Sequence, residues 1–566
     1  MSAPEPPAQW HRVLTLLADV SLFIGTRPVW TQAASHRLVV AAAISVCYAS
    51  ILVCGVLALV VRRARSLARV DLCVLVTAIL LTLSAWVMYH NGGDEAVLTT
   101  QAAKELVAGH TVYGQPWPWL FHPSHGVALT PTVTGGYDYT YGYPPLEMLL
   151  SAPLLFLKHQ GAPATAVSTG ALIVAAVVMW KMLPVQWRSA ATIACLGLGL
   201  LPTYGRQGYP AVLAMALLVP VVVHWPRIGK GGRLGPAGLA QAACLGAACA
   251  AQQLPWFLTP FLLAGIYAVR RGELGARPAG LVLLRILGVA AAVWLLINTY
   301  FIVHEPGTWL KGIALPLTQG AVLHGQGLVG ISLYFTNGSD RLDWYSHASM
   351  LLAGALLALF VLFIRRLGPA ATVLPWCAFY LATRSQDGYY LMMTPLWLAA
   401  AVTTPLSEFK DAWQPRPRPL AGRERRTARL AVAGLLLVPA VASAALAVTG
   451  KPPLSMEVTG IRRASVTDLS TLTIRVTNSS GGALSPHYML TTGQGMSRFW
   501  SLAKGPATVA AHSTATIELR APGGKFPLPH KSVRIRLRAF TATPQTLSSS
   551  DVQLQPTDTT RAGAKG

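Results

Sequence analysis

Two adjacent carboxylates, Asp94 and Glu95, are the residues of this chain best placed to do chemistry. They follow a hydrophobic segment and open a long aromatic loop that ends at Pro145. Acidic residues are scarce, 21 against 45 Lys and Arg in 566 residues, and a charge at a membrane boundary is costly unless it is solvated, paired or in use. A carboxylate in this position can accept a proton from a reacting group. The structural alternative is that one of the pair caps a helix that starts near Ala96.

The elements that must hold this pair are predicted to be membrane-spanning helices. Mean hydropathy is +0.47, and only 12% of residues are charged, against roughly a quarter in soluble domains. Hydrophobic runs of roughly 17–25 residues, long enough to cross a bilayer as a helix, recur along the chain. We predict a polytopic α-helical membrane protein with about 11–13 transmembrane helices. The candidate spans are 38–61, 70–89, 146–160, 164–182, 190–204, 209–225, 236–254, 256–270, 279–303, 346–364, 369–383, 389–405 and 430–449.

The net charge of +24 lies mainly in short clusters between these predicted spans. This is the positive-inside pattern, so we do not expect nucleic-acid binding. The loops 90–145 and 304–345 and the region after 450 are then predicted to lie outside. Four candidate spans separate residues 146 and 226, where an odd number is required, so one of them is expected not to cross. The loops placed in the cytoplasm are 62–69, 226–235, 271–278, 365–368 and 406–429.

The chain is predicted to divide into four parts. Residues 1–37 lack the order of a signal peptide, and their short apolar stretch 13–25 is expected to be interfacial. Residues 38–450 form the membrane domain, with 38–61 as the insertion signal. Residues 451–555 alternate apolar and polar side chains between Gly and Pro turns, which predicts an antiparallel β-sandwich. Residues 556–566 are expected to be a disordered tail.

Four stretches between about residues 70 and 405 resemble the GT-C superfamily of integral-membrane glycosyltransferases. The nearest resemblance is to the polyprenol-phosphate-mannose-dependent mannosyltransferases of actinobacteria, glycosyltransferase family 87. There are three departures: Gln207-Gly208 reverses the family's Gly-Gln order, Gln replaces its Lys before Pro255, and residues 383–390 stand where the family tends to carry a Trp and a His before a helix. The stretches are Gly93-Asp94-Glu95 with Gly109-His110-Thr111-Val112-Tyr113, Tyr143-Pro144-Pro145-Leu146, Arg206-Gln207-Gly208-Tyr209 with Gln252-Gln253-Leu254-Pro255, and Gly325-Gln326-Gly327-Leu328.

The resemblance implies an inverting transfer of a sugar from a polyprenyl-phosphate donor to an acceptor hydroxyl. Asp94 is implied to be the general base, with Glu95 as the fallback or as a partner that orients the acceptor. The leaving lipid phosphate requires positive charge or N–H donors. The candidates for that role on the predicted outer side are Arg384, Arg206, His324 and Lys311. The structural alternative for Arg384 is an ion pair with Asp387, and a lone loop histidine such as His324 can simply be solvated.

Aromatic and polar side chains on the same side are candidates for binding the sugar or the acceptor. Aromatic rings stack on sugars, although they also favour the membrane interface for their own reasons. No cofactor is expected: His122, His125 and Asp138 share the first loop without the spacing of a zinc site, and the seven cysteines lie in or beside hydrophobic runs. The sugar and acceptor candidates are Tyr113, Tyr141, Tyr143, Gln326, Asp387 and Tyr389.

The expected partners are a lipid-linked sugar donor, a cell-wall glycan or glycolipid acceptor, and membrane lipids. Mannose is the first expectation for the sugar and arabinofuranose the second, because the C-terminal region resembles the carbohydrate-binding domains of mycobacterial arabinofuranosyltransferases. The expected location is the outer face of a bacterial cytoplasmic membrane. The alternatives are a transporter or flippase for a lipid-linked sugar, and a non-catalytic glycan-binding scaffold. A transporter is expected to show repeats and acids within its spans, whereas the acids here lie at the ends of the predicted spans.

Overall fold

The structure of the protein is a computed structural model. The structure describes residues 6–121, 130–157, 161–318, 320, 322–415, 425–493, 495–528 and 534–552. The predicted tail 556–566 and the two loop histidines His122 and His125 lie outside these residues.

Long apolar helices dominate the chain up to residue 449. Within the described residues, seven helices are long and apolar enough to cross a membrane, or up to eight if a bent pair counts as one span. This confirms the prediction of a multi-pass helical membrane protein. The helices that meet the test alone include α1 (Gln9–His36), α2 (Leu38–Val60), α3 (Ala64–Met88) and α6 (Pro163–Met182). Two shorter helices, α4 (Asp94–Val107) and α5 (Leu146–Ser151), lie between α3 and α6 in the sequence.

The N-terminal segment differs from its prediction. We expected a short interfacial stretch at 13–25, but the apolar sequence continues into one 28-residue helix, α1, that meets the criterion for a span. Arg12 ties its start to the end of α2 by donating hydrogen bonds to the carbonyls of Ala58 and Val61. Asp19 lies buried near the middle of α1, which corrects the statement that acids lie only at span ends.

The region between 146 and 226 differs from the four spans predicted for it. Helix α5 continues as a short 3-10 turn to Leu157, and Ala162 N–H donates to the carbonyl of His90 at 3.2 Å. Helix α6 therefore begins beside His90, and the described helical part of the candidate span 146–160, Leu146–Leu157, is too short to cross a bilayer. The candidates 190–204 and 209–225 are instead α7 (Arg188–Leu196), α8 (Leu200–Gln207) and α9 (Pro210–Val222), with a 118° bend before α9.

The remaining helices mix full-length and interrupted elements. The predicted spans 369–383 and 389–405 are each divided into shorter helices, because Pro375 and Pro395 interrupt their apolar sequences. The full-length members are α12 (Ala276–His304), α14 (Asp343–Leu362) and α19 (Arg425–Thr449). The others are α10 (Pro236–Ala251), α11 (Leu254–Leu274), α13 (Pro306–Thr318), α15 (Ile364–Leu367), α16 (Leu374–Phe379), α17 (Asp387–Leu391) and α18 (Thr394–Thr403).

The region after 450 is rich in β-strands, as predicted. In one sheet, β5 pairs antiparallel with β4 and β9, and in the other β11 pairs antiparallel with β6 and β12. Alternating residues such as Leu472, Ile474 and Val476 are buried in the core of this region. The strands are β4 (Leu454–Ser465), β5 (Asp468–Asn478), β6 (His487–Thr492), β7 (Gly495–Met496), β8 (Ser501–Lys504), β9 (Thr514–Arg520), β10 (Phe526–Pro527), β11 (Ile535–Ala542) and β12 (Gln545–Asp551).

The β-rich region is docked on the two long loops of the membrane domain. The second loop contributes β2 (Gly338–Ser339), which pairs antiparallel with β12. Two buried arginines of β11 reinforce this contact, since Arg536 and Arg538 both donate to the carbonyl of Leu333, at 3.1 and 2.7 Å. The first loop also contacts the β-rich region, since the N–H of Phe499 donates to the hydroxyl of Tyr137 at 2.8 Å. The β-rich region is therefore packed against both long loops of the membrane domain.

Candidate active site

The two carboxylates stand in the first turn of α4, which is held by a tight corner of the chain. Gly93 caps the helix, so neither Asp94 nor Glu95 occupies the N-cap position. The N–H of Gly93 donates to the carbonyl of Gln207 at 2.8 Å. At the corner, Gly208 has φ +72, and a side chain there would come within 2.6 Å of the Cβ of Ala96. The glycine thus lets the α8–α9 corner approach α4 closely enough to fix the direction of both acids.

Burial and neighbouring charges set the proton affinities of this pair in different ways. Burial raises the pKa of Asp94, while the backbone N–H of Glu95 and the positive charge of Arg384 act in the opposite direction. Burial and the charge of Asp94 raise the pKa of Glu95 from 4.5 to about 8, although a hydrogen bond from Tyr143 favours its ionised form. At neutral pH Glu95 is therefore mainly protonated, and Asp94 is the better candidate for the ionised member.

The end of the first loop forms one wall beside these acids. Gln253 holds it in place by donating to the carbonyls of Gly142 and Ile313, at 2.9 and 2.8 Å. Below this wall, Tyr113 donates to the carbonyl of Tyr143 at 2.8 Å. Tyr113 and Tyr141, two of the sugar candidates, are fully buried and do not line the open space beside the acids. The third, Tyr143, lines the open space.

Arg384 and His324 reach the same place from distant parts of the chain. They pair in a two-residue parallel bridge between β1 (His324–Gly325) and β3 (Arg384–Ser385). Burial acts to lower the pKa of Arg384, but the ionised forms of Tyr389 and Tyr143, and then of Asp94 and Glu95, raise it above its usual value. Burial and the charge of Arg384 lower the pKa of His324, which favours a neutral ring.

These groups line one cavity of about 270 Å³. Met496 of the β-rich region closes part of it. Three carboxyl groups face one guanidinium, since Asp138 joins the pair on α4, and burial raises the pKa of Asp138 as well. The polar lining residues are Asp94, Glu95, Thr130, Asp138, Thr140, Tyr143, Tyr209, Gln252, His324, Arg384, Gln386 and Tyr389.

The structure places the remaining candidates away from this cavity. Arg206 lines a separate cleft, and Lys311 is exposed on α13. Gln326 and Asp387 are exposed and bonded to each other, through the N–H of Asp387 and the Gln326 Oε1 at 2.9 Å.

Sequence reasoning missed several polar members of the lining. From the sequence, Asp138 is considered only as a metal ligand, and Gln252 and Tyr209 are considered only as members of motif stretches. The glycine beside Tyr209 and the proline near Gln252 mark helix breaks, but they do not by themselves indicate that the two residues share a cavity. Within the described residues, no group of three or more His, Cys, Asp or Glu side chains is arranged to hold a metal ion.

Comparisons with known proteins give a distant likeness to a solved structure. No family model matches the chain, and no curated protein matches it. The crystal structure of ArnT from Cupriavidus metallidurans bound to undecaprenyl phosphate is similar at 16% sequence identity and a TM-score of 0.35. The likeness covers 66% of this chain and 65% of that one, so the chain spans just under two thirds of the length of ArnT. A likeness at this identity and score does not assign a function.

Proposed function

We propose that the chain is an integral-membrane glycosyltransferase that moves a sugar from a polyprenyl-phosphate donor to an acceptor hydroxyl in this cavity. One observation carries the proposal: members of three of the four motif stretches line the cavity together, although they lie far apart in the sequence. Asp94 and Tyr143 line it from the first loop, and Tyr209 and Gln252 line it from the helices. The fourth stretch directly follows His324, whose bridge to Arg384 completes the lining.

The arrangement supports an inverting displacement. The acceptor oxygen attacks the anomeric carbon, the bond from that carbon to the phosphate oxygen breaks, and the acceptor proton passes to Asp94. Arg384 lies where it can stabilise the negative charge that develops on the departing phosphate. Glu95, protonated at neutral pH, is suited to donate a hydrogen bond to a bound hydroxyl or phosphate oxygen, and it avoids a second negative charge beside the leaving group.

The finer assignment follows the motif resemblance. Mannose is the first candidate for the sugar and arabinofuranose the second, and a cell-envelope glycan or glycolipid is the acceptor. We place the cavity on the outer face of a bacterial cytoplasmic membrane, of the kind found in actinobacteria. Tyr143 and Tyr389 present rings to the cavity, and Asp138 and Gln252 present groups that can bond sugar hydroxyls. The β-rich region, through Met496, then covers the site that binds the acceptor.

The test is transfer of labelled sugar by the purified full-length chain, with synthetic polyprenyl-phosphate mannose and polyprenyl-phosphate arabinofuranose as donors. Asp94→Asn is expected to lose activity by about 100-fold or more, because it removes the proton acceptor. Asp343→Asn is the matched control, since Asp343 is also the first residue of its helix but is exposed. Full activity in Asp94→Asn refutes the base assignment, and no transfer from any donor favours the transporter.

A further inference from the structure

We propose that the cleft around Arg206 binds the phosphate group of an anionic bilayer phospholipid. This inference goes beyond the proposed transfer reaction and does not depend on it. The cleft has a volume of about 330 Å³ and lies between α1, the end of α3 and α8. Gln207 separates it from the reaction cavity, because its carbonyl is bonded to the N–H of Gly93 at the start of α4.

The cleft opens just beyond a backbone contact between two helices. A side chain at Gly25 of α1 would come within 2.3 Å of the backbone nitrogen of Gly199, so only glycine permits this crossing. One turn farther along each helix, Pro28 and Val29 face Thr203 across the cleft. The space is therefore built into the helix packing rather than formed by a loose surface loop.

Arg206 is the one charged side chain among the described residues that line the cleft. It is half-buried, its Nη2 donates to the hydroxyl of Thr203 at 3.0 Å, and its guanidinium lies over the ring of Tyr89 at 5.3 Å. The bond to Thr203 uses one of its five N–H donors and orients the planar group. A partly buried cation without a carboxylate in its own cleft is costly, and a bound anion removes that cost.

The surroundings place this cation at the level of lipid headgroups. Phe23 and Ile24 of α1 and Leu200 of α8 are about half exposed, as expected for helix faces that contact acyl chains. Tyr89 lines the cleft, and Tyr rings favour the membrane–water interface. An arginine between an apolar face and an aromatic interface fits the phosphate of a lipid whose chains lie against α1 and α8.

The test measures lipid binding by the delipidated full-length chain in neutral detergent, with native mass spectrometry as the readout. Phosphatidylglycerol is expected to bind more tightly than zwitterionic phosphatidylcholine. Arg206→Gln is expected to weaken phosphatidylglycerol binding at least about tenfold, because it removes a charge-assisted contact. Arg206→Lys is expected to retain part of the affinity. Arg341→Gln is the matched control, since it removes an exposed arginine of the second loop. All three variants are first compared with the wild type by thermal melting.

Each outcome decides the proposal. Loss in Arg206→Gln but not in Arg341→Gln supports it. Equal affinity in the wild type and Arg206→Gln overturns it, as does an equal loss in both variants. Competition by inorganic phosphate as strong as that by phosphatidylglycerol would show a free-anion site. An Arg206-dependent affinity for polyprenyl phosphate alone would make the cleft a carrier site and also overturn the assignment.

Discussion

Replacing Glu95 by Gln is expected to stabilise the protein, and the gain should grow with pH. The folded protein raises the pKa of Glu95 from 4.5 to about 8, so between these values it holds a proton that the unfolded chain releases. The free energy of unfolding therefore falls as pH rises through this interval and stays lower above it. At about 1.4 kcal/mol per pH unit, the cost is on the order of 3 kcal/mol at neutral pH and up to about 5 kcal/mol above pH 8.

Those figures are upper limits, because solvent reaches part of the Glu95 side chain and screens its charge. Gln keeps the shape of the protonated acid but cannot ionise, so it removes the pH-dependent cost. Thermal melting of wild type and variant in neutral detergent at about pH 5, 7 and 8.5 measures the difference. The two should melt together at the lowest pH and separate progressively above it. Glu457→Gln, an exposed glutamate of β4, is the control.

The opposite pattern refutes this reasoning. If Glu95→Gln melts at the same temperature as the wild type throughout, or melts lower at the highest pH, then Glu95 is not held protonated in the folded cavity. The role of Asp94 as the ionised member of the pair would then lose its support, because that assignment depends on the contrast between the two acids.

Three further changes follow from the contacts. Tyr143→Phe removes the hydrogen bond that favours the ionised form of Glu95, so the pKa of Glu95 should rise by about one unit. The protonated carboxyl band in pH-difference infrared spectra measures this pKa, and a lower pKa in the variant contradicts the prediction. Gly208→Ala should lower the melting temperature through steric conflict beyond backbone strain, which costs about 1–3 kcal/mol on its own, whereas Gly231→Ala, with φ +69 and open space, carries only the strain. Arg538→Met should speed hydrogen exchange in residues 331–337, because it removes a bond to a carbonyl there; unchanged exchange would show that the contact does not hold this loop.

The long helices could be predicted because their cause is local. A run of about 20 apolar residues has few alternatives to a spanning helix, and α2 begins and ends within one residue of the predicted span 38–61. The broken helices have a different cause. The bend before α9 depends on Gly208 meeting Ala96, a contact between residues more than 100 positions apart. Nothing in the local sequence distinguishes this corner from a loop between two short spans.

The same corner explains why one motif stretch in the sequence contains residues that line two separate cavities in the structure. Arg206 and Tyr209 are three residues apart, and a motif read along the sequence assigns them to one place. The corner at Gly208 turns the chain between them, so that Tyr209 lines the candidate active-site cavity while Arg206 lines a separate cleft. The bridge between His324 and Arg384 was equally hidden, because a two-residue strand has no periodic pattern.

The charges of the cavity constrain how it can bind an anionic donor. If Asp94, Glu95 and Asp138 were all ionised, they would outnumber Arg384 three to one and repel a lipid phosphate. Burial raises the pKa of each acid, and for Glu95 the shift is large enough to keep the proton at neutral pH. A protonated Glu95 brings the cavity closer to neutrality and leaves Asp94 beside the positive charge of Arg384. The adjacency of the two acids therefore has a physical use, since the negative charge on one raises the proton affinity of the other.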